Sequence, residues 1–190
     1  DGDAIVLRSH KLNAEELNSE ALAIGRAGAG VNNIPVEVCT EKGVVVFNTP
    51  GANANAVKEL VIAGLLLSVS GVSEGINFVQ NLDAYNDKKE MNKIVESSKK
   101  VFKGTELRGK TLGVLGLGAI GSMVAETALN LGMKVIGYDP ALSVEAAWKL
   151  SSQVKRIKNL PSLFAGADIV TLHIPSSKET MGIVDKDLLN

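Results

Sequence analysis

The stretch Leu112–Gly121 reads LGVLGLGAIG and decides how the rest of the chain is interpreted. Its second half has the pattern G-x-G-x-x-G, formed by Gly116, Gly118 and Gly121. The pattern alone is weak evidence, because glycine is the usual residue of tight turns. The flanking residues strengthen it, since Thr111–Leu115 is typical of a buried strand and apolar residues recur at helical spacing from Ile120 until Gly132.

The next predicted strand ends in an acid. Lys134–Tyr138 is followed directly by Asp139, at about the distance from the glycines that the dinucleotide motif requires. Gly116 would permit the turn out of the strand, Gly118 would let a pyrophosphate approach the backbone, and Gly121 would let the helix pack closely. The sequence therefore predicts a dinucleotide site rather than a purely structural turn.

The same residues indicate which dinucleotide binds. The unpaired N–H groups of Ala119 and Ile120, together with the positive end of the helix, would bind the phosphates. The carboxylate of Asp139 can accept hydrogen bonds from both hydroxyls of the adenosine ribose. Its negative charge would repel the additional phosphate of NADP, so NAD is the predicted cofactor.

Composition excludes several classes of protein. The 190 residues suffice for one large or two small domains, and a formal net charge of −1 favours neither nucleic acid nor a membrane surface as a partner. Cys39 is the only cysteine, so an internal disulfide is excluded and a cytoplasmic protein is expected. We expect Cys39 to be a buried apolar residue rather than a nucleophile. The longest apolar run, Leu60–Val72, is too short to span a bilayer, and we assign no metal ligand.

Strands and helices alternate over most of the chain. The apolar runs are continuous, which is typical of parallel strands that helices cover on both faces. The sequence therefore predicts an α/β fold with two doubly wound parallel-sheet units, joined by a largely helical segment from about 55 to 101. The predicted strands are Ala4–Leu7, Ala21–Ile24 and Val44–Phe47 in the first unit, then Thr111–Gly116, Lys134–Tyr138, Val154–Ile157 and Asp168–His173 in the second.

Helix signals lie between and after these strands. Asn13, with Glu16 three residues later, predicts a capped helix start. Pro35 opens a second helix that Gly43 ends, and Asp185 caps another. The lysine-rich segment 86–110 is interpreted as a solvated helix face and linker, with a basic contact surface as the alternative.

Further segments carry a family resemblance. With the glycine loop, they make the chain resemble the D-2-hydroxyacid dehydrogenase family over essentially its whole length. These segments are Ile5–Ser9 (IVLRS), Ile24–Asn33 (IGRAGAGVNN), Phe47–Asn53 (FNTPGAN), Tyr138–Pro140 (YDP) and Thr171–Pro175 (TLHIP). The resemblance implies an NAD-dependent oxidoreductase whose substrate lies between a flavodoxin-like domain and a Rossmann domain. Residues 1–49 are then part of the substrate-binding domain, and 50–190 are part of the NAD-binding domain.

The resemblance assigns the substrate site to one loop and two arginines. The backbone amides of Ala27, Gly28 and Ala29 correspond to those that hold the substrate carboxylate, with Ala29 also near the cofactor. Arg8 and Arg26 match basic residues of family members that oxidise D-3-phosphoglycerate in serine biosynthesis. Independently of the resemblance, both arginines stand at the carboxyl ends of predicted strands, where α/β sheets bind ligands. The alternative for each arginine is a surface residue that binds no ligand.

The resemblance also places His173, Ile174 and Pro175 beside the nicotinamide, where they would position it by packing and backbone contact. The family's catalytic arginine, glutamate and histidine have no counterpart in these 190 residues, and neither His10 nor His173 matches the catalytic histidine. No catalytic residue is therefore assigned. We expect a fragment, truncated at both ends, that binds the nucleotide without turning over substrate.

Two kinds of partner follow from the resemblance. One is a small phosphorylated 2-hydroxy acid. The other is a second copy of the chain, because the family's long helices after Pro50 pack across a two-fold axis and Leu60–Val72 is apolar. Three alternatives stay open: a dehydrogenase of glycerate, lactate or formate, a dinucleotide-sensing corepressor, and a stand-alone nucleotide-binding module. The two arginines favour a phosphorylated acid over the first.

Overall fold

The first of two parallel sheets is built from the apolar runs at the beginning of the chain. In the computed structural model, which describes residues 2–18, 20–82 and 87–189, three strands pair in the order β1-β2-β3 and all run parallel. They are β1 (Ala4–Leu7), β2 (Ala23–Arg26) and β3 (Val45–Asn48). Helix α1 (Val36–Glu41) covers this sheet, and its Cys39 is fully buried as expected. Burial raises the pKa of the Cys39 thiol, so the thiol stays protonated near neutral pH.

Two local predictions in this unit were wrong in detail. Strand β2 begins two residues later than expected, because the N–H groups of Leu22 and Ala23 both donate to the carbonyl of Asp3 and the ladder begins only there. The shift places Arg26 inside the strand, at its last position. The predicted helix after Asn13 is one 3-10 turn, Ala14–Glu16. The Asn13 N–H does donate to the Glu16 carboxylate, at 2.6 Å.

The segment between the two sheets is largely helical, as the sequence predicts. Its described residues form α2 (Ala54–Val69), α3 (Val72–Gln80) and α4 (Lys88–Ser98). Helix α2 packs along a helix of the second unit and inserts Leu65 into that unit's core. Helix α4 has no buried residue, which supports a solvated face for the lysine-rich segment. Residue 86, where that segment begins, lies outside the described residues.

Within the described ranges, no single helix is long and apolar enough to cross a bilayer. Helices α2 and α3 pass that test only when they are taken together, and the chain bends by 75° between them.

The second sheet has the order β6-β5-β4-β7, again all parallel. Its strands are β4 (Thr111–Leu115), β5 (Lys134–Tyr138), β6 (Lys155–Arg156) and β7 (Ile169–Leu172), and its helices are α5 (Ala119–Asn130), α6 (Val144–Lys149), α7 (Leu160–Ala165) and α8 (Lys186–Leu189). The α/β class and the parallel sheets are confirmed. The edge strand β6 is shorter than predicted, although Ile157 still donates its N–H to the carbonyl of Gly137, at 2.8 Å.

The core of this unit holds the glycine loop in place. Leu112 and Val114 of β4, and Val124 and Ala128 of α5, are completely buried against one another. Each large side chain buried in this way stabilises the fold by roughly 1.5–3 kcal/mol. The strand order reverses at β4, with β5 and β6 on one side and β7 on the other. Such a reversal leaves a crevice at the carboxyl ends of the strands, which is where sheets of this type bind ligands.

Candidate functional site

Gly116 directly follows β4 and lies against the residues that follow β7. Its φ is +88°, a conformation that favours glycine. A Cβ there would lie 2.7 Å from the carbonyl oxygen of His173 and 2.9 Å from a methyl group of Ile174. Only glycine therefore fits between the two strand ends, and the glycine loop begins at the point where the strand order reverses.

The other two glycines of the motif have different surroundings. A Cβ on Gly121 would overlap the carbonyl oxygen of Gly116 and lie 3.3 Å from a methyl of Val114, so α5 packs against the loop backbone itself. A Cβ on Gly118 would have nothing within 4 Å. The absence of a side chain at Gly118 thus serves no packing purpose in the described structure, and it leaves open space in front of the helix.

The first turn of α5 faces that space with free donors. Its first intrahelical bond runs from Ser122 N–H to the carbonyl of Gly118, at 3.0 Å. The N–H groups of Ala119 and Ile120 precede it and have no intrahelical acceptor. Free N–H groups, the positive helix end and the empty space at Gly118 together fit the pyrophosphate of a dinucleotide.

Asp139 has a second role, in holding the glycine loop, that the sequence does not predict. One of its carboxylate oxygens accepts from Leu117 N–H at 2.8 Å, and the other accepts from Ala141 N–H at 2.9 Å. The side chain therefore fixes the middle of the glycine loop. A carboxylate has about four acceptor positions, so two are left for the hydroxyls of a ribose.

A cavity of about 620 Å³ opens beyond Asp139. It extends from Leu117 across the connection after β5 to α6 and the end of β6. Trp148 and Arg156 line it, and neither is among the site residues that the sequence predicts. The available signal was that Trp148 is the only tryptophan of the chain and follows Asp139 in the next helix.

The residues predicted beside the nicotinamide lie on the opposite side of β4. The backbone N–H of His173 donates to the carbonyl of Leu115 at 2.7 Å, and its Nε2 lies 2.9 Å from the hydroxyl of Thr171. Burial lowers the pKa of His173, so its ring is neutral at pH 7. Ile174 packs against the core, and the carbonyl of Pro175 accepts from the Thr180 hydroxyl at 2.6 Å. Of these three residues, His173 and Ile174 directly border Gly116.

The predicted substrate loop lies at the carboxyl edge of the first sheet. Leu7 pairs with Arg26 across the sheet, so Arg8 and Arg26 reach the same edge. Gly28 has φ +152°, and a Cβ on it would overlap the guanidinium of Arg26, which therefore lies against the loop 27–29. The buried Nε of Arg26 has no hydrogen-bond partner among the described residues. An unpaired buried donor of this kind is costly unless a ligand satisfies it.

Residues 48–51 connect the two loops. The side-chain amide of Asn48 donates to the carbonyl of Ala29 at 2.7 Å, and Thr49 N–H donates to the carbonyl of Gly28 at 3.0 Å. At the other end of this segment, a Cβ on Gly51 would lie 3.6 Å from the Cβ of Ala119. The loop predicted to hold substrate and the helix end predicted to hold cofactor therefore flank the same four residues.

Comparison with known proteins agrees with this geometry. Residues 73–190, more than half of the chain, match the family described as D-isomer specific 2-hydroxyacid dehydrogenase, NAD binding domain. The chain belongs to this family. Membership in the D-2-hydroxyacid dehydrogenases confirms the Rossmann-type fold, and it confirms NAD as the cofactor that the glycine motif and Asp139 predict.

Individual relatives of this dehydrogenase family cover nearly all of the chain. A D-3-phosphoglycerate dehydrogenase of Methanocaldococcus jannaschii is 36% identical over 98% of this chain and 33% of that protein. One of a Synechocystis species is 38% identical over 98% of this chain and 31% of that protein. The chain thus spans about a third of the length of the curated relatives it matches.

A solved structure of the same dehydrogenase family aligns with the whole chain. The crystal structure of NAD⁺-bound 3-phosphoglycerate dehydrogenase from Entamoeba histolytica has a TM-score of 0.71 and 31% identity, over 100% of this chain and 52% of that one. The roles of individual site residues and the domain boundary after residue 49 stay predictions. The first sheet ends at Asn48, one residue before that boundary.

Proposed function

We propose that the chain is part of an NAD-dependent dehydrogenase that oxidises D-3-phosphoglycerate in serine biosynthesis. The observation that carries the proposal is the position of Arg26. Its guanidinium lies on the loop 27–29, its Nε has no partner among the described residues, and residues 48–51 connect that loop to the end of α5. The names of the relatives from Methanocaldococcus jannaschii and Synechocystis support the same substrate.

The unit around the second sheet binds the cofactor, and the unit around the first sheet binds the substrate. In the second unit, the free N–H groups of α5 hold the pyrophosphate, and Asp139 holds the adenosine ribose. In the first unit, the loop 27–29 faces the substrate carboxylate. The N–H groups of Ala27 and Gly28 already donate to the carbonyls of Leu7 and Arg26, at 2.9 Å each, so Ala29 N–H is the loop amide left for the carboxylate among the described residues. Arg8 and Arg26 supply two positive charges at the same edge, more than one carboxylate requires, and guanidinium forks pair well with phosphate. When bound, NAD supplies the acceptor for the hydride that leaves the substrate.

Arg26→Ala in the 190-residue chain tests the proposal. With NAD saturating, we expect the dissociation constant of D-3-phosphoglycerate, measured by calorimetry, to rise by about 10- to 150-fold, because charge-assisted hydrogen bonds contribute roughly 1.5–3 kcal/mol. The affinity for NAD should not change. Arg108→Ala is the matched control, because Arg108 packs on Gly132 at the opposite end of the second sheet.

The affinities of three different acids distinguish the proposed substrate from the substrates of related dehydrogenases. D-Glycerate and D-lactate lack the phosphate, so Arg26→Ala should cost them far less affinity than it costs D-3-phosphoglycerate. If the variant weakens the binding of all three acids equally, Arg26 binds the carboxylate and a non-phosphorylated substrate is favoured. If it weakens none, Arg26 has no role in substrate binding and the proposal loses its main support.

We also propose that two copies of the chain associate through α2 and α3. Both helices expose large apolar side chains on the described surface. They include Leu60, Leu66, Leu67, Val72, Ile76 and Val79. An apolar surface of this kind is typical of contacts between subunits. A cytoplasmic location belongs to the same proposal, since a single buried cysteine suits a reducing compartment.

A further inference from the structure

The cavity of about 620 Å³ beyond Asp139 lies next to the carboxylate that would hold the adenosine ribose. The adenine joined to that ribose would then lie within reach of this cavity. Its volume is within the range of small-molecule pockets. This step rests on the proposed NAD site, because it takes the position of the ribose from Asp139.

The cavity is lined mainly by apolar side chains. They include Leu142, Val144, Ala147, Leu150 and Val154. Asp139 and Arg156 are the two charged residues of the lining, and Asp139 already has the ribose and the loop N–H groups as partners. A flat, uncharged ring therefore suits this lining better than a charged or strongly polar group.

Trp148 is the unusual member of the lining. Its side chain is 85% exposed, although an indole is among the largest apolar groups in proteins. Leu142, Leu150 and Val154 from the same wall pack against the core, whereas Trp148 is in none of the core clusters of the described residues. Packing of the fold thus does not account for a tryptophan at this position. Its exposed face borders the space that the base would occupy.

We infer that Trp148 stacks on the adenine ring of the bound dinucleotide and is a determinant of affinity at that end of the cofactor. Aromatic side chains bind bases in this way because every base has a π-face. Stacking also removes from water an indole face that the free protein exposes.

The single tryptophan provides a direct readout. Because Trp148 is the only tryptophan, the indole fluorescence of the 190-residue chain reports on this cavity alone. We expect AMP and NAD to quench or shift the emission in a saturable manner. Nicotinamide mononucleotide, which lacks adenine, should leave the emission unchanged over the same concentrations.

Three variants separate aromatic stacking from general apolar contact. Trp148→Ala and Trp148→Leu should raise the dissociation constants of AMP and NAD, measured by calorimetry, by about tenfold, which equals about 1.4 kcal/mol. Trp148→Phe keeps a π-face and should stay within about threefold of the parent. Met181→Ala is the control, since Met181 is a similarly exposed apolar residue outside the cavity lining.

The outcomes distinguish this inference from the proposed function. If the parent binds NAD and Trp148→Ala binds it equally well, the stacking role is wrong and the NAD site stands. If Trp148→Leu matches the parent while Trp148→Ala does not, the contact is apolar and stacking is wrong. If the parent binds neither NAD nor AMP, the proposed function and this inference both fail. Melting curves check that each variant is folded.

Discussion

Gly118 and Gly121 should respond differently to the addition of one methyl group. In Gly121→Ala, the new Cβ overlaps the carbonyl oxygen of Gly116, and backbone cannot move away as a flexible side chain can. Overpacking of this kind costs about 1–3 kcal/mol. Alanine is the better helix former by up to about 1 kcal/mol, which is smaller than the steric cost over most of that range. We therefore expect a lower melting temperature, by about 2–4 °C per kcal/mol lost.

Gly118→Ala should be neutral for folding and harmful for binding. Its new Cβ meets nothing within 4 Å, and the backbone at 118, with φ −68° and ψ −160°, is accessible to alanine. The methyl group would instead occupy the space in front of the N–H groups of α5. Loss of one charge-assisted hydrogen bond to the pyrophosphate, roughly 1.5–3 kcal/mol, raises the dissociation constant of NAD about 10- to 150-fold.

Melting curves and calorimetry with NAD, applied to both variants and the parent, test this contrast. Gly121→Ala should lose stability, and its NAD affinity should fall because α5 is displaced. Gly118→Ala should keep the melting temperature of the parent and lose only affinity. Equal destabilisation by both substitutions, or a Gly118→Ala variant that binds NAD like the parent, would refute the assignment of packing to one glycine and ligand space to the other.

Two further predictions concern cofactor choice and assembly. Asp139→Ala should weaken binding of NAD more than binding of NADP, because the carboxylate both holds the ribose and repels a 2′-phosphate. Both affinities should fall to some extent, since Leu117 N–H loses its acceptor, and equal losses in calorimetry would argue against the ribose role. In light scattering, the chain should have twice the mass of one copy, and Leu60→Asp should halve it because Leu60 is 74% exposed on α2. A parent mass of one copy at all concentrations would exclude the dimer.

Local signals in the sequence were sufficient for much of the fold. Strands β4 and β5 lie close to where continuous apolar runs predicted them, because burial on both faces demands such runs. Strand β1 also lies where its apolar run predicted it, but Val6 in its middle is 82% exposed, so the expected cover on both faces is absent there among the described residues. Edges were harder. Strand β6 is two residues long and exposed, so few of its side chains have to be apolar, and the predicted run Val154–Ile157 overstated it. The turn after Asn13 is short because Leu17 adopts an extended backbone and is buried in the first core.

The glycine motif, the acid after β5 and the α/β alternation can be recognised without any structure. These follow from rules that act over short distances: steric freedom at glycine, unpaired N–H groups at a helix start, and the periodicity of apolar residues. Four features of the site become visible in the folded chain. Gly116 contacts His173, Asp139 binds Leu117 N–H, Arg26 lies on Gly28, and Trp148 borders the cavity. Each of these features depends on packing, which brings distant side chains and backbone together or leaves a side chain exposed. A local sequence pattern does not predict such packing.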